Sequence, residues 1–162
     1  YAATGLYPLW NKMYKKELFE SYRPSPLINT LGEDQYMNMV FINAAQSVYF
    51  DNKICYSYLQ RSDSVMKTPK QSHIDDFFGL WSEKKKFIQK MGLLKTDKKK
   101  VMNGYFNAVF DFYGLCHAMD KGGLLPKFNE LLSADEYFRV SNIPLNAKNI
   151  ARYMKFLAKR YF

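Results

Sequence analysis

The stretch TLGEDQYMNMVFINAAQ, Thr30 to Gln46, predicts a helix that opens with two adjacent carboxylates. Apolar residues recur through it at helical spacing: Tyr36, Met37, Val40, Phe41, Ala44 and Ala45. Glu33 and Asp34 follow Gly32 and occupy the first turn, where each negative charge offsets the helix dipole by about 0.3–1 kcal/mol. The same position would keep a carboxylate ionised beside a ligand, so the pair has a structural and a catalytic interpretation.

Composition bounds both interpretations. The chain has 162 residues, 48% of them hydrophobic and 17% aromatic, which predicts one domain with a real core and excludes wholesale disorder. The formal charge of +9 favours anionic partners, namely nucleic acid, nucleotide phosphates or an anionic membrane, without choosing among them. Cys55 and Cys116 lie far apart and only two histidines occur, so we expect neither a disulfide scaffold nor a His-based metal site.

The pattern divides the chain into a mixed first part, residues 1–68, and a helical second part, residues 69–162. In the first part we expect a short helix over Lys12–Ser21, with Met13 facing inward, and two strands, Val48–Phe50 and Ile54–Leu59, that join a larger sheet. In the second part the predicted helices are Ile74–Met91, Asp97–Met119, Leu124–Leu132 and Ala147–Tyr161. We interpret the adjacent Asp75 and Asp76 as helix-start residues.

Three segments of the first part carry a resemblance to a known family. WNKMYKKELF, Trp10 to Phe19, is followed by Gly32-Glu33-Asp34, and then by Tyr56, Tyr58, Arg61 and Ser64 in YSYLQRSDS. In this order they resemble the C-terminal half of the inverting family 2 glycosyltransferases, over roughly residues 6–68. The resemblance implies an α/β, mostly helical fold of GT-A type. Residues 1–68 would be its incomplete acceptor-side part, and residues 69–162 a helical extension.

The resemblance also implies roles. Asp34 would be the general base that deprotonates the acceptor hydroxyl, with Glu33 beside the acceptor. Trp10 would line the acceptor site or pack beneath the catalytic helix. Arg61, and Lys12 as a second candidate, would approach the donor phosphates and stabilise the departing nucleoside diphosphate. The implied donor is a nucleotide-sugar, foremost a UDP-sugar, and the implied acceptor is a glycan or lipid-linked molecule in cell-surface polysaccharide synthesis.

One departure from the family concerns the donor site. The family places nucleotide and metal binding upstream, with a D-x-D type motif, and this chain contains none. We therefore expect a divalent cation, Mn²⁺ or Mg²⁺, only together with an N-terminal half, and no metal ligand among the residues here. The chain would then be the C-terminal part of a transferase, or a gene fragment, and inactive by itself. A cytoplasmic location follows from the resemblance.

Two alternatives stay open. The basic helix Ala147–Tyr161 could dock on its own domain or lie on an anionic membrane at the inner face, since both predict an amphipathic pattern. The whole chain could also be a non-catalytic basic helical interaction module that binds nucleic acid or a membrane surface, with Glu33 and Asp34 as helix-start charges only. No recognisable nucleic-acid-binding pattern occurs, so we do not expect nucleic acid as a partner.

Overall fold

A computed structural model of the chain describes residues 8–20, 22–51, 56–57, 59, 69–119, 123–144 and 146–161. These residues form seven α-helices and a short 3₁₀ turn, Val140–Asn142. The helices are α1 (Glu17–Glu20), α2 (Glu33–Ala44), α3 (Gln71–Lys90), α4 (Leu93–Thr96), α5 (Lys98–Ala118), α6 (Leu124–Ala134) and α7 (Ala147–Tyr161). Within the described ranges no residue belongs to a β-strand.

The expectation of an α/β fold of GT-A type is therefore wrong for the described part of the chain. Val48–Phe50 is irregular and its side chains are exposed. Of the second predicted strand, Ile54–Leu59, only residues 56, 57 and 59 are described, and they are irregular too. Aromatic and β-branched residues favour a pleated surface, but a strand persists only where neighbouring strands pair with its backbone. For the described residues, the prediction of the two strands was wrong because it rested on residue composition alone.

The predicted long helices agree with the structure to within a few residues, whereas the first short helix does not. Instead of Lys12–Ser21, only the four residues of α1 are helical. Residues 12–15 are irregular, and Met13, which we expected to face inward, is fully exposed. The segment is held by Tyr14, whose hydroxyl bonds to a residue of α2. A tertiary contact has replaced the local helical hydrogen bonds here.

Helix α3 packs one side against the helical core. Phe77, Trp81 and Ile88 are buried on this side. Phe77 stacks on Phe112 of α5, with ring centroids 4.8 Å apart and planes at 9°. Near the other end of α3, Lys85 forms an ion pair of 2.5 Å with the buried Asp135, which also accepts a hydrogen bond from the backbone of Tyr137. Thus α3 is fixed to both α5 and the segment after α6.

Helix α7 docks on α5 through one face. Phe156 is buried against Tyr113 and Phe138, at centroid distances of 4.6 and 5.4 Å. Asn149 is also buried and donates to Asn103 of α5 at 2.6 Å. The docked interpretation of this helix is confirmed for its inner face. In the part of the chain that the structure describes, no helix combines the length and apolar content needed to cross a bilayer.

A second side of α3 carries the loop that precedes α2. The residues that contact this loop lie at helical spacing: Asp76, Gly79, Leu80 and Glu83. Lys84 continues this side and contacts Gln35 in α2. At Gly79 the loop backbone comes so close that an added Cβ would lie 2.0 Å from the carbonyl oxygen of Leu27. Only glycine permits this approach. Helix α3 is therefore buried on two sides, one toward the core and one toward α2.

Replacing Gly79 with alanine should test this second interface. We expect Gly79→Ala to lower the free energy of unfolding by about 1–3 kcal/mol, because the added methyl group overlaps backbone. The matched control is Gly114→Ala in α5, where an added Cβ meets no atom within 4 Å. There the better helix propensity of alanine should raise stability by up to about 1 kcal/mol. Urea unfolding of both variants checks the opposite signs, and equal changes would contradict the close approach at Leu27.

Candidate functional site

The candidate site is the first turn of α2 together with the segments packed around it. Gly32 precedes this turn with φ of +96°, and an added Cβ there would lie 2.7 Å from Cδ2 of Leu80. Both the left-handed backbone and the lack of space require glycine. The carbonyl of Gly32 accepts the first helical hydrogen bond, from the backbone N–H of Tyr36 at 2.9 Å. Gly32 thus sets where α2 starts and places Glu33 and Asp34 in its first turn.

A buried carboxylate on α3 holds the loop in front of this turn. The oxygens of Asp76 accept hydrogen bonds from the backbone N–H groups of Asn29, Thr30 and Leu31 at 2.7, 3.0 and 3.0 Å, and from the Thr30 hydroxyl at 2.8 Å. Burial raises the pKa of Asp76, but these hydrogen bonds together outweigh it and leave the pKa below its usual 3.8. The interpretation of Asp75 and Asp76 as helix-start residues is wrong, because α3 begins at Gln71 and both lie beyond its first turn. Asp76 is also fully buried.

A lysine on α3 adds a contact to the first turn itself. Lys84 donates to the side-chain carbonyl of Gln35 at 2.7 Å, and its ammonium lies over the ring of Trp81 at 4.6 Å from the centroid. Burial lowers the pKa of Lys84 to about 8. Because Gln35 directly follows Asp34, this contact helps to fix the orientation of the turn that bears the carboxylates.

The segment before α1 reaches the same turn through a buried amide. The hydroxyl of Tyr14 donates to Oδ1 of Asn38 at 2.5 Å, and Nδ2 of Asn38 donates to the backbone carbonyl of Asp34 at 2.9 Å. Asn38 is fully buried. Burial raises the pKa of Tyr14 to about 12, and the nearby charge of Asp34 adds to the rise. Tyr14 therefore remains a protonated donor at neutral pH.

Lys12 lies within electrostatic range of the same carboxylate. Partial burial lowers the pKa of Lys12, and the charge of Asp34 opposes this effect. The ammonium donates to the carbonyl of Pro8 at 2.6 Å and to Oδ1 of Asn11 at 2.7 Å. Its positive charge thus interacts electrostatically with Asp34, while its hydrogen bonds go to Pro8 and Asn11. Contact of Lys12 with donor phosphates stays a prediction.

Trp10 joins two of the three segments noted in the sequence. Its ring stacks on Tyr56 with centroids 4.7 Å apart and planes at 25°. Both residues remain accessible, with 41% of Trp10 and 51% of Tyr56 exposed. An exposed pair of stacked rings can present an aromatic surface to a ligand. Arg61 lies outside the described residues, so its predicted contact with the donor stays a prediction.

Several opposing effects act on the pKa of Glu33. Partial loss of hydration raises the pKa of Glu33, backbone N–H groups at the start of α2 oppose the rise, and the charges of Asp34 and Asp76 add to it. A carboxylate oxygen accepts a strong, charge-assisted hydrogen bond from a hydroxyl. This is compatible with the expected place of Glu33 beside an acceptor.

The described residues provide no group for a metal ion, and their cavity lies apart from this site. No group of three or more His, Cys, Asp or Glu side chains in the described ranges is placed to hold a metal ion. A shallow cavity of about 400 Å³ is lined by Lys98, Lys99, Met102 and residues 141–144. None of these residues belongs to the segment Trp10–Phe19 or to the first turn of α2, so the cavity does not belong to the site around Asp34.

Sequence reasoning missed three residues that build the site, namely Asp76, Asn38 and Tyr14. Asn38 could have been found, because a single amide on the apolar side of a predicted helix needs a partner once it is buried. The pairing of Asp76 with the loop spans about 45 residues of sequence and has no local signal.

Comparison with known proteins gives a partial likeness. Over 88 residues the chain is 31% identical to a protein of Streptococcus pneumoniae serotype 4 described as glycosyltransferase GlyA. The aligned part is 54% of this chain and 12% of that protein, so the chain spans about an eighth of the length of this relative. No family model and no solved structure matches the chain. Part of this chain is thus similar to a glycosyltransferase.

Replacing Asp76 with asparagine should loosen the site. The Asp76→Asn variant turns one acceptor oxygen into an amide donor that faces backbone N–H groups, so we expect a loss of about 1.5–3 kcal/mol in the free energy of unfolding near pH 7. The matched control is Asp75→Asn, since Asp75 is exposed and bonds only at the surface to Lys127. This control should cost less than about 1 kcal/mol.

The pH dependence of that difference gives a second measurement. The pKa of Asp76 is lowered on folding, so its stabilisation is present above the unfolded pKa of about 4 and is lost as the pH falls below it. The gap between wild type and Asp76→Asn should therefore narrow between about pH 5 and about pH 2. A gap of constant size across this range would contradict the ionised Asp76 described above.

Proposed function

We propose that this chain supplies the acceptor side of a glycosyltransferase, in which Asp34 is the general base. One observation carries the proposal: the first of the three resembling segments contacts residues of both others, the turn with Asp34 through Tyr14 and Asn38, and Tyr56 through Trp10. Tyr14 reaches Asp34 through Asn38, Lys12 lies in electrostatic range of Asp34, and Trp10 stacks on Tyr56. The partial likeness to a glycosyltransferase supports the same activity class.

The proposed step is a single displacement at the anomeric carbon of an activated sugar. Asp34 takes the proton of the acceptor hydroxyl, and the oxygen forms a bond to the anomeric carbon. The bond from that carbon to the phosphate oxygen breaks, and its electron pair leaves with the nucleoside diphosphate. Attack from the face opposite the leaving group inverts the configuration. The backbone N–H groups at the start of α2 favour the charged form of a carboxylate at this position.

The acceptor would lie against Glu33 and the aromatic surface of Trp10. Sugars expose C–H groups on one ring face, which pack well on an aromatic ring, while their hydroxyls bond to carboxylates. Trp10 is accessible, and Glu33 occupies the turn that bears Asp34. This division gives Asp34 the chemistry and the other two residues the orientation of the acceptor.

On the donor side, positive charge would stabilise the departing diphosphate. Arg61 is the first candidate and Lys12 the second, and Lys12 would exchange the acceptors on Pro8 and Asn11 for phosphate oxygens. The described residues do not supply a ligand set for Mn²⁺ or Mg²⁺, so we assign no step to a metal. A nucleotide-sugar donor, a glycan or lipid-linked acceptor and a cytoplasmic site of action complete the proposal.

The base assignment is tested by Asp34→Asn in the full-length gene product. We expect kcat to fall by about 10²–10⁴-fold, because amide oxygen is a far weaker proton acceptor than carboxylate. The assay measures UDP release from UDP-glucose, UDP-galactose and UDP-N-acetylglucosamine with glycan acceptors. The matched control is Asp75→Asn, a carboxylate at the surface of α3 that should leave kcat unchanged.

A second variant separates the two adjacent carboxylates. Glu33→Gln removes the neighbouring charge and one acceptor contact, so we expect KM for the acceptor to rise while kcat changes by less than about tenfold. Circular dichroism and thermal melting establish that each variant is folded. Normal transfer by folded Asp34→Asn would contradict the base assignment and leave Glu33 and Asp34 as helix-start charges.

A further inference from the structure

The docking of α7 leaves its outward face uncovered, and this face is amphipathic. The inner face is occupied by Asn149 and Phe156, which are buried against α5 and its neighbours. Ile150 and Met154 point away from this contact and are 47% and 60% exposed. They lie one turn apart, so they form a continuous apolar edge along the helix.

The same face carries unneutralised positive charge. Helix α7 contains five basic residues and no acidic one. Arg152 bonds to Asn107 and Asp111, and Arg160 donates to Ser133, so both serve the docked helix. Lys148, Lys155 and Lys159 are exposed, and none forms an ion pair with a described residue. At 100° per residue these three lysines fall within an arc of about 40°.

Small residues separate the apolar edge from the lysine edge. Ala147, Ala151 and Ala158 are exposed between the two. Their short side chains let the helix backbone approach a flat surface closely. The outward half of α7 is therefore ordered across its width as an apolar edge, a low alanine strip and a cationic edge.

We propose that this outward face of α7 binds an anionic lipid surface. Ile150 and Met154 would enter the boundary between head groups and acyl chains, while the three lysines would lie at the level of the lipid phosphates. The formal charge of +9 attracts the whole chain to such a surface over a longer range. The inference does not depend on glycosyl transfer, because it uses no residue of the site around Asp34.

Two other occupants fit the face less well. A nucleic acid would use the lysines but would gain nothing from burying Ile150 and Met154, since its outer surface is charged. A second copy of this chain would bring its own lysine edge, and like charges brought together oppose association. A lipid surface is the partner that takes up both edges at once.

Vesicle sedimentation with the 162-residue chain tests the proposal. We expect the chain to sediment with phosphatidylcholine vesicles that contain roughly one quarter phosphatidylglycerol, and to bind pure phosphatidylcholine on the order of a hundredfold more weakly. Equal binding to both, or binding to neither, would overturn the proposal. Circular dichroism of every variant before mixing establishes that it is folded.

The apolar edge is tested by Met154→Gln. We expect its partition coefficient on the anionic vesicles to fall about tenfold, because a methionine side chain no longer enters the acyl region. The matched control is Met91→Gln, which changes a methionine of similar exposure, 50%, just after α3, and should leave partitioning unchanged. Ile150→Gln should repeat the loss seen with Met154→Gln. Unchanged binding by both α7 variants would indicate a purely ionic contact and overturn the insertion of this edge.

The cationic edge is tested by replacing Lys148, Lys155 and Lys159 together with glutamine. We expect partitioning to fall on the order of a hundredfold. The control replaces Lys95, Lys98 and Lys99, which are also exposed, with glutamine, so that the net charge of the chain changes by the same amount. It should cause a much smaller loss. Equal losses in the two triple variants would mean that net charge and not α7 drives binding. A dimer in sedimentation velocity that Met154→Gln dissociates would assign the face to a second copy instead.

Discussion

The buried carboxylate of Asp76 is the interaction on which the arrangement around Asp34 depends. It satisfies the backbone N–H groups of three consecutive loop residues, from Asn29 to Leu31. Without an acceptor, each buried N–H group would cost about 1–3 kcal/mol. The loop therefore has one low-energy path over α3, and that path delivers the chain to Gly32. The start of α2, and with it the place of Asp34 in the first turn, follows from a residue more than forty positions away.

Helix α3 connects the candidate site with the helical core because it is buried on two sides. Phe77 and Trp81 face α5 and α6, whereas Asp76 and Gly79 face the loop before α2. The expected division into residues 1–68 and 69–162 stays a prediction, but α3 belongs to the second part and supports the site of the first. Residues of α3 in the helical part therefore support the turn that bears the two carboxylates. Disturbance of the core near Phe77 should reach the site through this one helix.

Contacts in the structure join residues of the three segments that resemble glycosyltransferases. Here Tyr14 and Asp34 share a buried amide, and Trp10 stacks on Tyr56 from the third segment. The segment before α1 thus brings a cation, Lys12, into electrostatic range of Asp34 and carries an accessible aromatic ring, Trp10. Those are the groups that proton abstraction from a sugar hydroxyl and recognition of the sugar ring require.

The sequence by itself determined the long helices, since a period of 3.6 residues and glycine stops are local features that each segment carries within itself. It also placed Glu33 and Asp34 in a first turn, because Gly32 precedes them. Tertiary structure alone decided the rest. Val48–Phe50 has strand-forming residues but no described partner strand, and residues 12–15 give up helical bonds for the contact of Tyr14 with Asn38. The role of Asp76 could not be predicted from the sequence either, because the backbone donors that it accepts from are brought to it only by folding.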